Sequence, residues 1–177
     1  PNRIQLAPNS ELRKKAEEIL RRAVNAYKVL ISPNLRQTFE REREEHHHRV
    51  KNTLVYSQEQ FQKGENCLKE ERFHEAKVFY RNALAVNLKE PAFYLRLGWA
   101  IYQEAPHIPL QRLLARTYIE RAIKMNPIFE DAYLYLGIIR KAEGHFEEAI
   151  SLFQQILLFN PGHSEAFQLL TSLSDEG

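Results

Sequence analysis

The stretch Tyr94-Leu95-Arg96-Leu97-Gly98 returns later in the chain as Tyr133-Leu134-Tyr135-Leu136-Gly137. Each copy opens one helix-patterned run and is followed by a second, which ends at Asn126-Pro127 in one case and at Asn160-Pro161 in the other. Self-similarity at a period of roughly 20 to 50 residues marks an array of small units stacked side by side. Working outward from the quoted stretch gives three units. Residues 130–163 form the most complete one. Residues 91–129 carry Leu97, Gly98, Ala115, Ala122 and Pro127, but Gln103-Glu104-Ala105-Pro106-His107-Ile108-Pro109 lengthens the turn between the two helices. Residues 57–90 keep Gly64, Phe73, Ala76, Tyr80 and Ala83 in register, with Glu71 in place of a turn glycine and Leu88 in place of a terminal proline.

In the third unit Ala132, Tyr133, Leu136, Gly137, Gly144, Phe146, Ala149, Phe153 and Pro161 stand at the spacing of a helix-turn-helix repeat of about 34 residues. This pattern resembles the tetratricopeptide repeat. The resemblance implies an all-α fold, a right-handed αα superhelix of three repeats with a capping helix. Its physical basis is that each pair of antiparallel helices cannot bury its apolar faces without a neighbour. Gly64, Gly98 and Gly137 are expected opposite Ala76, Ala115 and Ala149, so that helix axes approach the short end of the usual range of about 8 to 10 Å. A glycine inside a helix costs about 1 kcal/mol relative to alanine, so three at one register need a packing reason. Tyr80, Ile119 and Phe153 fill equivalent core positions, and Ile156, where Ala83 and Ala122 stand in the other units, predicts looser packing against the C-terminal segment. That segment, residues 164–174, is an amphipathic helix with Ser164 as its expected N-cap, serving as the solenoid's cap before a fraying Asp175-Glu176-Gly177.

Ahead of the repeats, Leu12, Ala16, Ile19, Ala23, Tyr27 and Leu30 share one face of a helix expected over residues 10–31, with Asn9 or Ser10 capping its start. Ser32-Pro33 ends that helix and begins the next. The run from Ala26-Tyr27 through Val29-Leu30, Pro33 and Arg36 to Phe39-Glu40 resembles the last two helices of a DnaJ-type J-domain, in which Tyr-Asp stands where this chain has Phe39-Glu40. The family works through a His-Pro-Asp loop. Pro1-Asn2-Arg3 falls near the end of that loop, with Asn2 in place of the aspartate. A J-like element reused as scaffold is therefore expected over residues 1–50, with a long charged helix leading to a repeat domain over 51–177. The stripe of Leu12, Ile19, Tyr27 and Leu30 is expected to be covered, by the helix after Pro33, by the repeats or by another molecule.

Composition narrows the function. Hydrophobic residues make up 44% and charged residues 27%, as in ordinary globular proteins. The net charge of +2 is uneven, with eleven Lys or Arg against seven Glu in residues 1–50, but Arg41 and Arg43 alternate with Glu40, Glu42 and Glu44 as on a solvated helix face. No nucleic-acid partner is implied. There is no apolar run of the roughly 20 residues that span a membrane. The lone Cys67 occupies a core position as a buried, inert thiol, and with no apolar signal-like segment near residue 1 a cytoplasmic location is expected. His46-His47-His48 cannot converge on one metal, because successive helical side chains point about 100° apart. With no glycine-rich phosphate loop, Cys-x-x-Cys or His-Glu-x-x-His, neither an enzyme nor a cofactor is expected.

Function is expected in the concave groove, which the resemblance places at positions 2, 5, 9 and 12 of each first helix. These are Gln58, Phe61, Glu65 and Leu68, then Ala92, Leu95, Trp99 and Tyr102, then Asp131, Leu134, Ile138 and Lys141. The candidate partner-binding residues are Phe61, Glu65, Leu68, Leu95, Trp99, Tyr102, Leu134, Ile138 and Lys141, centred on Trp99 and Tyr102. A subset of the family grips acidic C-terminal tails with Lys, Asn and Arg; here those slots hold Phe61, Glu65, Arg96, Asp131 and Tyr135, so that clamp is absent. The groove residues imply a protein-interaction scaffold or adaptor that takes an apolar or amphipathic peptide or helix. The competing occupants are the chain's own N-terminal helix and a second copy. The alternative function is a J-domain co-chaperone acting with a DnaK-type chaperone.

Overall fold

The computed structural model describes residues 10–175, all of whose regular elements are helices. They are α1 (Ser10–Ile31), α2 (Pro33–Lys69), α3 (Phe73–Val86), α4 (Pro91–Glu104), α5 (Pro109–Met125), α6 (Glu130–Ala142), α7 (Phe146–Phe159) and α8 (Ser164–Asp175). Two compact units divide the chain, Pro1–Lys51 and Asn52–Gly177. No described helix is long and apolar enough to cross a membrane.

In the first unit, α1 ends where sequence places its end. The Ser32 N–H donates to the Lys28 carbonyl, and the Ser32 hydroxyl accepts from the Leu35 N–H, capping α2. Asn25, Ala26 and Val29 of α1 and Arg36, Phe39, Glu40 and Arg43 of α2 line one pocket. This side of α1 lies nearly opposite Tyr27, because a two-residue step turns a helix by about 200°. The expected cover for the apolar stripe is therefore not supplied by the helix after Pro33: Ile19 and Tyr27 are 68% and 63% exposed. The Leu12 and Leu30 side chains, the Asn9 or Ser10 cap, Asn2 and the C-terminal fraying lie outside the described residues.

The second unit runs from the last turns of α2 through α8, and from α3 onward each helix packs on the next, with α4 also meeting α6. Residues 57–173 thus contribute seven consecutive helices, as the repeat requires. Tyr80, Ile119 and Phe153 are fully buried, and so are Ala76, Ala115 and Ala149. The three glycines answer mainly to the bulky residue one helical turn beyond the alanine. A Cβ on Gly64 would stand 2.6 Å from the Tyr80 ring and one on Gly137 2.4 Å from the Phe153 ring; only at Gly98 is the alanine itself met, through the Ala115 carbonyl oxygen at 2.7 Å. Ile156 is fully buried in one cluster with Ala166 of α8.

Turns repeat as faithfully as helices. Gly144 closes α6 at φ 81°, and Glu71 adopts φ 57° at the equivalent place, a rare conformation for a residue with a Cβ. Both make the same pair of hydrogen bonds, Arg72 N–H to Cys67 O and Glu71 N–H to Leu68 O in one turn, His145 N–H to Arg140 O and Gly144 N–H to Lys141 O in the other. Asn87, Asn126 and Asn160 each end a helix and accept, through Oδ1, the N–H two residues on. At α8 the expected Ser164 cap is replaced by His163, one residue earlier, whose Nδ1 accepts the Ala166 N–H.

Ionic contacts join one repeat to the next. Lys77 of α3, 8% exposed, pairs with Glu104 at the end of α4, which His74 Nδ1 also meets at 3.2 Å. Arg116 of α5 occupies the place of Lys77 and meets Glu143, beyond the end of α6, at 3.2 Å, with Arg112 and Arg140 at 3.8 and 3.4 Å from the same carboxylate. The corresponding place on α7 holds Ile150.

Candidate partner-binding groove

The end of α2, α4, α6 and α8 are the first helices of successive repeats, and the residues they bring together form one connected centre. Glu65 Oε1 accepts the Tyr80 hydroxyl at 2.6 Å and pairs with Arg96 Nε at 3.2 Å. Arg96 Nη1 in turn donates to the Tyr135 hydroxyl at 2.7 Å, and its guanidinium lies 5.7 Å from the centre of that ring. Trp99 stacks on Tyr135 at 4.2 Å with planes 16° apart, and Tyr102 flanks Trp99 at 5.4 Å. Four helices, α2, α3, α4 and α6, are tied by this chain of contacts.

Its electrostatics arise from burial and pairing. Burial, aided by the hydrogen bond to Glu65, pushes the Tyr80 hydroxyl far above the ordinary phenol range. Burial pulls the Arg96 guanidinium down, but Tyr135 and Glu65 together outweigh it and hold the group above its usual value. Tyr135 is raised first by burial, with Arg96 opposing and the charges of Asp131 and Glu165 adding to the rise. Arg96 is thus committed to internal partners, and the Cys67 thiol is buried, as expected, with burial pushing it up.

The nine sequence-derived candidates divide. Phe61, Glu65, Leu68, Trp99, Ile138 and Lys141 are half-buried. Phe61 is held by Phe93 at 5.0 Å and Tyr80 at 5.6 Å, and Lys141 Nζ donates to Ser172 of α8 at 3.2 Å. Leu95, Tyr102 and Leu134 are instead core, at 1%, 8% and 4% exposure. Tyr102 belongs to the main hydrophobic cluster beneath Trp99, and Leu134 to the cluster closed by Ala166 and Leu173 of α8, so neither offers a face to a partner. The centre therefore rests on Trp99 rather than on Trp99 and Tyr102 together. Arg96 and Tyr135 were readable as a shared register and as slots of an absent clamp; that they bond each other was not. His46, His47 and His48 are exposed on α2, away from these residues in sequence and in the other unit.

Residues 109–173, from α5 into α8, match the tetratricopeptide repeat. The fold is that of tetratricopeptide-repeat solenoids. The Arabidopsis OM64 TPR domain is similar over 71% of this chain and 99% of its own, with 20% identity and a TM-score of 0.65. The first TPR of Spaghetti (RPAP3) bound to the HSP90 peptide SRMEEVD is similar over 70% of this chain and 94% of its own, with 20% identity and a TM-score of 0.63. The TPR2B domain of yeast Sti1 in complex with an Hsp70 peptide covers 70% of this chain and 99% of its own, at 17% identity and a TM-score of 0.61. At such identities the likeness is one of fold. No curated protein matches the chain in sequence.

Proposed function

We propose that the chain is a non-enzymatic adaptor whose tetratricopeptide-repeat groove, centred on Trp99, holds an apolar or amphipathic segment of a partner polypeptide. The observation that carries this reading is the indole itself: half-buried, with part of its surface open, and stacked between Tyr135 and Tyr102 so that its orientation is fixed before any ligand arrives. A fixed aromatic surface binds with little loss of side-chain freedom, as at many interface hot spots. Two solved relatives in fold hold peptides of Hsp90 and Hsp70, which supports a peptide in the groove. The acidic-tail clamp is not part of the proposal, because Phe61, Glu65, Asp131 and Tyr135 stand in its slots and Arg96 is tied to Glu65. A cytoplasmic setting belongs to the same reading and rests on the lone buried thiol of Cys67. The co-chaperone alternative would need the loop whose last position holds Asn2, outside the described residues.

The test is Trp99→Ala. With a partner recovered by affinity capture and identified by mass spectrometry, the variant is expected to bind at least roughly thirtyfold more weakly, from about 2 kcal/mol of hot-spot energy, with unchanged circular dichroism. Unchanged binding with a lowered melting temperature would assign Trp99 to the core and remove the groove from this face.

A further inference from the structure

We infer that the outer face of α5 docks an acidic amphipathic helix of a partner protein, whose apolar side chains rest on Leu110, Leu113 and Leu114 and whose carboxylates meet Arg121 and Lys124. This surface is separate from the groove at Trp99. It lies on the side of α5 opposite Ala115, Ile119 and Ala122, which are fully buried.

Comparison of the repeats singles this face out. Leu113 and Leu114 stand in the slots of His74 and Glu75 on α3 and of Glu147 and Glu148 on α7, and all six are exposed. Two repeats thus keep these water-facing slots polar, and the one between them fills both with leucine. Leu110 adds a third, one turn earlier: α5 has 17 residues against 14 in α3 and α7, and the extra ones are Pro109, Leu110 and Gln111 at its start. The three leucines form an i, i+3, i+4 row, the spacing through which one helix grips another.

Leu114 precedes Tyr118 by one turn, so the row leads into a groove. Tyr94, Thr117, Tyr118, Glu120, Arg121 and Lys124 line a cavity of about 340 Å³ whose surface is almost wholly apolar. Thr117 donates its hydroxyl to the Leu113 carbonyl at 2.9 Å and Tyr94 donates its own to the Leu88 carbonyl at 3.3 Å, so neither asks a ligand for an acceptor. From Leu110 to Lys124 the face runs about 21 Å along α5, the length of a partner helix of roughly four turns.

Charge selects the partner. The sequence of α5 holds four Lys or Arg and one Glu. Arg112 and Arg116 are held by Glu143, which leaves the exposed Arg121 and Lys124 on the outer face beside Glu120. An acidic helix gains from these two cations and a basic one is repelled. A second copy's α5 has the same sign, and so has α1, with six Lys or Arg against three Glu, so neither exposed apolar helix of another copy is the complement.

A library of random 16-residue peptides displayed on phage, panned on the intact chain and depleted on the variant Leu113→Glu, Leu114→Glu, tests this. The variant keeps the fold, because α7 already carries Glu in both slots. Recovered sequences are expected to have leucine, isoleucine or phenylalanine at i, i+3, i+4 spacing and a net negative charge. The most enriched one, made synthetically, is expected in anisotropy titrations to bind Leu113→Glu, Leu114→Glu at least tenfold more weakly. For Arg121→Gln, Lys124→Gln the expected loss is roughly fivefold, in the range of two exposed ion pairs, and Trp99→Ala should bind it unchanged. Neutral or basic recovered sequences, a glutamine variant that binds as the parent does, or a library with no sequence lost on the leucine variant would overturn the inference. So would sedimentation showing a dimer that Leu113→Glu, Leu114→Glu turns into a monomer, since a second copy would then be the cover.

Discussion

Glu71 is the residue at which the repeat departs most from its own rule. Its φ of 57° places a Cβ against the backbone in a turn that Gly144 makes with the same hydrogen bonds two repeats later. A left-handed conformation costs an L-residue about 1 to 2 kcal/mol, which glycine avoids, although glycine has more freedom to lose on folding. Glu71→Gly should therefore raise stability by about 0.5 to 1 kcal/mol, read as a higher urea midpoint with an unchanged slope. The glycines of the helix interfaces carry the reverse expectation. Gly98→Ala should destabilise by about 1 to 3 kcal/mol in the same assay, since its new methyl meets a carbonyl of α5 that cannot rotate away. Both outcomes belong to single positions, and both were marked in sequence because glycine is the residue that meets each constraint at least cost.

Between elements some of the contacts are ionic, and here sequence was a poor guide. Lys77 and Glu104 lie on different helices in different repeats, and each alone resembles an ordinary surface charge; only the stacking of α3 on α4 buries the pair. The same holds for Arg116 and Glu143. Small and aromatic core positions were legible because packing restricts them residue by residue, whereas Leu95, Tyr102 and Leu134 were misassigned to the groove because helical register fixes a direction, not what the neighbouring repeat lays over it. The Glu104 carboxyl is held below its ordinary value first by the hydrogen bond from Lys77, against opposing burial, and then by the charges of Lys77 and His74. A depressed folded-state value means that this stabilisation is complete above the unfolded value near 4.5 and is lost as pH falls through the folded one. Glu104→Ala should lower stability at pH 7 by about 1 to 3 kcal/mol by stranding Lys77, and its melting temperature should fall less than that of the parent between about pH 4.5 and 3. Parallel pH profiles in thermal melts would remove Glu104 as the titrating group.

Across the whole molecule, a solenoid's stability is a sum of repeats and the interfaces between neighbours, so the effect of an end depends on what the end covers. Ala166 and Leu173 of α8 are buried in one cluster with Leu134, Ala149, Phe153 and Ile156, and the α7–α8 interface has Ile150 where the earlier junctions place a cation. This last interface is therefore held by apolar burial without the ionic pair that joins the others. Ending the chain after His163 would return the outer faces of Phe153 and Ile156 to water, at roughly 1.5 to 3 kcal/mol for each large side chain fully uncovered. The loss should stay local, because α7 contacts α6 and α8 while α3 to α5 form their own consecutive contacts. Amide hydrogen exchange on the shortened chain is expected to show protection lost through α7 and reduced in α6, with α4 close to its original protection. A uniform loss from α3 to α7 would mean that the repeats unfold as one block and that the nearest-neighbour description fails for this chain.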